Sequence, residues 1–193
     1  TTMKTYSLQL ADNQLITYRD RKRHLWLLSM IYPLLALSGV GLYLATGSQW
    51  LLLTPLVSIY GGASLFDWLL GTDKSNPPEE LVPQLEEDPY YRWLPMLTVP
   101  LHVVVLVMIA GFTATHELNW LSILVLALTA GLYSGLAINT AHELGHKKTE
   151  LERRLARIAA GISLYGHFCI EHVRAHHRRV ATPEDPASSR MGE

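Results

Sequence analysis

Cysteine is all but absent: Cys169 is the only one in 193 residues. A lone thiol forms no intrachain disulfide, and it excludes CxxC zinc ribbons, four-cysteine iron sites and cysteine-held iron–sulfur clusters. A basic excess is missing too. Lys and Arg number 16 against 17 Asp and Glu, a net charge of −1, which argues against a nucleic-acid partner. There is no GxGxxG after a strand and no Walker A loop, so no obvious flavin, nicotinamide or nucleotide site. Charge itself is missing over long stretches. The mean hydropathy of +0.14 averages these with short, heavily charged ones, and that combination points to a membrane protein.

The polar opening, residues 1–24, ends in the basic cluster Arg19, Arg21, Lys22, Arg23, His24. It does not read as a cleavable signal, because the apolar stretch that follows is too long and lacks a small-residue cleavage site. Leu25–Ala45 carries no formal charge and, at about 1.5 Å per residue, is long enough to cross a hydrocarbon core of about 30 Å. Trp50–Leu70 follows after a short connection that forces an antiparallel hairpin. Its one acid, Asp67, is a functional-site candidate by its place in a membrane segment, or an interfacial residue by its distance from the end. Residues 71–92 are proline-rich and acidic and belong in water or at the interface. Leu94–Thr113 and Trp120–Asn139 make a second apolar pair, and Leu155–Ile170 reads as a buried or half-inserted helix. Trp26, Trp50, Trp93 and Trp120 lie near the span ends, as an interfacial belt requires.

The fold class expected is all-α integral membrane: two transmembrane helical hairpins plus a cytoplasmic-side, partly buried helical metal-binding segment. Its divisions are an N-terminal segment, 1–24; a four-helix membrane region, 25–139, with spans at about 25–45, 50–70, 94–113 and 120–139; and a histidine-rich segment, 140–193. Lys and Arg number five before the first span, none in 46–49, two in 71–92, none in 114–119 and nine from Thr140 onward. By the positive-inside rule the N-terminus and the histidine-rich segment of this multi-pass protein are cytoplasmic.

Six of the nine histidines fall between His142 and His177. In NTAHELGHKK, His142 and His146 are four residues apart and share a helix face, about 6 Å from each other. Alone this is HExxH, the zinc-protease signature, with Glu143 as general base. In EHVRAHH, His172 and His176 repeat the spacing, and His177, turned about 100° around an α-helix, is able to face a different metal ion. Five histidines are too many for one tetrahedral zinc with an open position, so two metals are expected. Imidazole suits zinc, copper, iron and nickel alike. His167 is a ligand or a supporting residue. Glu143, Glu171 and Asp185 are metal ligands or carboxylates orienting the ligating imidazoles. His24, His102 and His116 stand apart and are read as structural.

NTAHELGHKK, GHFCIEHVRAHH, VATPEDPASSRMGE and NPPEELVPQLEEDPYYRWLPMLTVPLH together resemble the membrane-bound alkane 1-monooxygenase family, within the histidine-box group of desaturases and hydroxylases. HVRAHH is an HxxxHH box, where desaturases more often show HxxHH. Ala175 stands where a glycine is common. The resemblance implies a non-haem di-iron oxygenase that hydroxylates the terminal methyl of medium-chain n-alkanes with O₂ and electrons from rubredoxin. The ligands it implies are His142, His146, His172, His176 and His177, with the rest from a third histidine box in a C-terminal half that this chain is expected to lack. A fatty-acid desaturase or hydroxylase, a membrane HExxH zinc protease and a non-catalytic membrane fragment are the alternatives.

An alkane offers nothing to hydrogen-bond, so its recognition requires an apolar blind channel, for which Ile59, Gly62 and Gly135 are candidates. The small residues Gly61, Gly62, Ala63, Gly131, Ser134, Gly135 and Ala137 either line such a channel or allow close helix packing. Lys147, Arg153, Arg154 and Arg178 are candidate docking residues for an acidic electron donor, or serve only the positive-inside rule.

Overall fold

A computed structural model describes residues 3–71, 73, 75–185 and 187. The chain divides into two compact units between Thr98 and Val99.

The first unit opens with an antiparallel hairpin, β1 (Lys4–Gln9) and β2 (Leu15–Asp20), in which Tyr6 faces Tyr18 and Leu8 faces Ile16. Asn13 at φ 66° turns the chain, and the Asp12 carboxylate accepts the Gln14 N–H at 3.0 Å. This hairpin corrects the plain polar segment expected over 1–24. Period-2 alternation at Tyr6, Leu8, Ile16, Tyr18 and Asp20 puts these side chains on one face, with Tyr6 and Asp20 buried.

Two helices follow, α1 (Arg23–Thr46) and α2 (Gln49–Leu70), each long and apolar enough to cross a membrane. Their regularity breaks at identifiable places. Pro33 sits in a 3-10 turn, Tyr32–Leu37, and a π turn, Ser58–Gly62, falls midway along α2. Gly39 marks a close approach: a Cβ there would lie 2.9 Å from the Leu52 carbonyl oxygen. Of the small residues in the spans, Ala137 is fully buried, whereas a Cβ at Gly61, Gly62, Gly131 or Gly135 would meet nothing within 4 Å among the described residues. Asp67 is exposed, near the end of α2.

Helix α3 (Pro89–Thr115) starts on an Asp-Pro signature. Asp88 accepts the Tyr90 N–H at 2.9 Å, and Pro89 follows at a position where its missing N–H costs nothing. The same carboxylate gathers the hairpin. Arg23 donates to it twice, at 2.8 and 3.0 Å, Lys4 Nζ at 2.8 Å and Tyr6 Oη at 2.5 Å, while Tyr91 Oη donates to Asp20 at 2.5 Å. Gln84 adds a bond to the Ser7 carbonyl at 3.1 Å, and Lys22 pairs with Asp73.

Asp88 is buried, and its carboxyl is held well below the ordinary range, chiefly by Arg23 against the cost of burial, with Lys4 and Tyr6 assisting. The unfolded chain therefore takes up this proton first. The stabilisation is whole above about pH 4 and erodes as pH falls below it. Burial, then the bond to Asp88, pushes the Tyr6 phenol up to about 12, so its share is whole below about pH 10 and disappears as pH rises through 12. Protection of the hairpin from limited proteolysis is accordingly expected to be flat from about pH 5 to 9 and to fall at both extremes; uniform protection down to about pH 2 would contradict the Asp88 assignment.

In the second unit, α4 (Trp120–Gly145) is capped by Asn119, which accepts the Ser122 N–H at 2.8 Å. It continues past Asn139, so His142 belongs to the helix of the span. Helix α5 (Glu150–Ile162) packs on α4 through Glu152, Ala156, Ala159 and Ala160, and opens on a capping box between Thr149 and Glu152. The apolar run Leu155–Ile170 is not one helix, contrary to expectation. Leu164 adopts φ 60°, and the Leu164 and Tyr165 N–H groups close back onto the Gly161 and Ala160 carbonyls, which ends α5. A last helical run, residues 168–179 (α6), then begins.

Helices α3 and α4 are also long and apolar enough to cross a membrane, making four such helices among the described residues. Only 11% of the most apolar window of α2 is buried, and Val57, Phe66, Val107 and Leu128 are exposed. Such faces are stable in lipid and not in water. The architecture is thus that of a helical membrane protein whose first unit opens with a small β-hairpin.

Candidate metal centre

Two pieces of helix build the centre. His142 and His146, one turn apart at the end of α4, stand with ring centroids 4.8 Å apart. The turn after α5 brings α6 back to them, and the His172 ring lies 4.2 Å from that of His142. Phe168 stacks on His172 at 5.1 Å and fixes its plane. One ligating atom from each of His142, His146 and His172 lies within 4.8 Å of the others.

His177 joins the same group. Its Nε2 is 3.0 Å from His172 Nε2, and its ring is 4.8 Å from that of His146. Its position follows from the backbone, because Glu171–His176 forms a π turn. At about 4.4 residues per turn, a residue five positions on returns to within about 50° of the starting face, instead of about 140° away in an α-helix.

His176 is held differently. Its Nδ1 is 2.9 Å from both oxygens of the buried Asp185, and its ring is 5.5 Å from that of His172. A carboxylate on Nδ1 fixes the tautomer and leaves Nε2 as the ligating nitrogen. Asp185→Asn is therefore expected to weaken metal binding about 10–100-fold while leaving the helices intact. Metal titration followed by circular dichroism checks this, and unchanged affinity would separate Asp185 from the site.

His167 and Glu171 form a pair of their own at 3.5 Å, and Tyr165 Oη donates to Glu171 at 2.6 Å. Glu143 is exposed beside His142. Glu150 binds Arg153, Arg154 and Arg157 at 3.3, 3.0 and 3.0 Å, so the arginines of α5 share one acid; Lys147 is half-buried and Arg178 exposed on α6. Ile59 and Gly62 lie on the π turn of α2, and Gly135 lies within α4.

The donor set suits a metal. Two nitrogens bound at about 2.1 Å to one ion lie about 3.0–3.4 Å apart. His172 Nε2 is 3.3 Å from His146 Nε2 and 3.0 Å from His177 Nε2. Burial, and then the surrounding imidazoles, push His172 down to about 4 and lower His146 as well, so both rings are neutral at pH 7 with lone pairs to donate.

Alkane 1-monooxygenase 1 of Alcanivorax borkumensis is 50% identical over 185 residues, 95% of this chain and 45% of the relative. The alkane 1-monooxygenases of Ectopseudomonas oleovorans and Pseudomonas putida are 48% and 47% identical, over 91% of this chain and 44% of each relative. Over nine-tenths or more of its length the chain is homologous to alkane 1-monooxygenases. It spans about half the length of the curated relatives it matches. A family model described as fatty acid desaturase matches residues 118–192, the stretch holding α4, α5 and α6. Every histidine gathered above lies within that stretch, so the part of the chain shared between alkane 1-monooxygenases and desaturases is the part that builds the centre.

Proposed function

We propose that this chain supplies part of a non-haem di-iron monooxygenase that converts medium-chain n-alkanes to 1-alkanols, RCH₃ + O₂ + 2e⁻ + 2H⁺ giving RCH₂OH + H₂O, with rubredoxin as electron donor. The observation that carries the reading is the Nε2 spacing of 3.3 and 3.0 Å around His172, set by neutral imidazoles from α4 and α6.

His142, His146, His172, His176 and His177 would hold the iron, which supplies O₂ activation when bound. Five imidazoles underfill two ions of higher coordination, so the remaining ligands, including a third histidine box, come from sequence outside this chain. Phe168 orients His172 by stacking, and Asp185 orients His176. The substrate reaches the centre from the bilayer, for which Ile59, Gly62 and Gly135 are the channel candidates. Rubredoxin docks on the side bearing Lys147, Arg153, Arg154 and Arg178, the cytoplasmic side of a bacterial inner membrane.

The match to the desaturase family favours a second reading, oxidation of a fatty acyl chain on the same metals. An HExxH protease is disfavoured because His172 and His177 crowd the ligand positions that a catalytic zinc must keep open. The test measures iron content and products, using the chain alone and the chain extended to the length of its relatives, with rubredoxin and its reductase. About two irons and 1-octanol from octane in the extended protein are expected. About one zinc supports the protease, and turnover of acyl lipids alone supports the second reading.

A further inference from the structure

We propose that the cavity where the β-hairpin meets the start of α1 binds the headgroup phosphate of an anionic phospholipid. The cavity has a volume of about 240 Å³, and Arg21, Arg23, His24 and Asp20 line its polar part, Leu27 and Met3 its apolar part. That is below the about 300–1,000 Å³ of pockets for drug-sized ligands, and it suits a headgroup better than a nucleotide.

Charge accounting identifies which groups are available. Arg23 and Lys4 lie against Asp88 and Asp20: both cations bind Asp88 at 2.8 Å, Arg23 is 3.8 Å from Asp20, and Tyr91 donates to Asp20 as well. Two cations and two carboxylates cancel. Lys22 is paired with Asp73. Arg21 and His24 remain, both exposed and without a hydrogen-bond or ion-pair partner among the described residues. A guanidinium fork beside an imidazole is suited to a phosphodiester.

Position selects the lipid over free phosphate. Arg23 is the first residue of a helix long enough to span a bilayer, so the cavity lies at its polar end. Leu27, one turn further along, continues the cavity wall into the apolar stretch, where Trp26 and Leu28 are exposed. A bound phosphate at Arg21 would place its acyl chains along that face. Basic pockets at the ends of membrane helices hold anionic headgroups for this reason.

The test is native mass spectrometry of the detergent-purified protein titrated with dioleoylphosphatidylglycerol, dioleoylphosphatidylcholine or inorganic phosphate. One phosphatidylglycerol per chain is expected to survive release from the micelle, with neither other probe retained. Arg21→Glu should lower that affinity at least about fivefold. Arg19→Glu makes the same change in net charge on a side chain outside the cavity and should leave it unchanged. Equal losses in the two variants, no loss in Arg21→Glu, or equal retention of phosphatidylcholine would overturn the proposal. Competition by millimolar inorganic phosphate would assign the cavity to free phosphate and also overturn it. If Arg21→Glu loosens the hairpin by proteolysis, Arg21→Gln carries the same expectation.

Discussion

Replacing His172 by alanine is expected to remove the bound metal altogether, a loss of more than about 100-fold in affinity, and to abolish any oxidation that depends on it. The reason is its central position. His172 touches His142, His146, His176 and His177 ring to ring, and it alone makes both close Nε2 contacts. Losing a carboxylate that only orients a ligand costs about 10–100-fold, and losing this ligand removes the donor that links α6 to α4. His116→Ala serves as control, since His116 stands apart beside Phe112 and Thr115. Iron per chain by mass spectrometry reads the result. A His172→Ala protein holding as much iron as its parent would refute the ligand assignment.

The second expected result concerns spacing. Deleting Ala175 from the π turn shortens the box to HVRHH, which in an α-helix puts histidines at positions i, i+3 and i+4, within about 100° of one another. The π turn already gives the present i, i+4 and i+5 about that spread. The deletion is therefore expected to keep metal binding within about tenfold, provided the segment relaxes to α geometry. Inserting one alanine after Ala175 rotates His176 and His177 onward by about 80–100° and should abolish binding. Iron content and the α-helical amide signal compare the pair. Equal damage from both changes would show that the π turn is not what places His177.

The asymmetry between those two changes also explains what the sequence concealed. Helix existence was legible because charge is missing over whole spans, and the His142–His146 pair was legible because four residues make one helical turn. The closeness of His177 to His172 was not legible, because an α-helix turns 100° per residue and nothing in EHVRAHH announces a π turn. The hairpin is hard to read for a different reason: its strands are short, and the basic run from Arg19 to His24 dominates the composition there. Alternation at Tyr6, Leu8, Ile16 and Tyr18 around an Asp-Asn turn was the available signal. Asp88 had no local signature beyond helix capping, because Lys4 and Tyr6 lie more than eighty residues away in the chain. Asp185 was suspected from its motif, and the geometry supplies its partner, His176.

The bidentate contact between Arg23 and Asp88 carries a topological consequence. Arg23 opens α1 and Asp88 follows α2, yet their side chains meet at 2.8 and 3.0 Å. Both residues must then lie on one side of the bilayer, so the chain crosses it an even number of times between them, which α1 and α2 supply as an outward and a return pass. The contact forms only after the second crossing is complete. A chain in which α2 failed to enter would leave Asp88 across the membrane from Arg23, Lys4 and Tyr6, and the hairpin without its anchor.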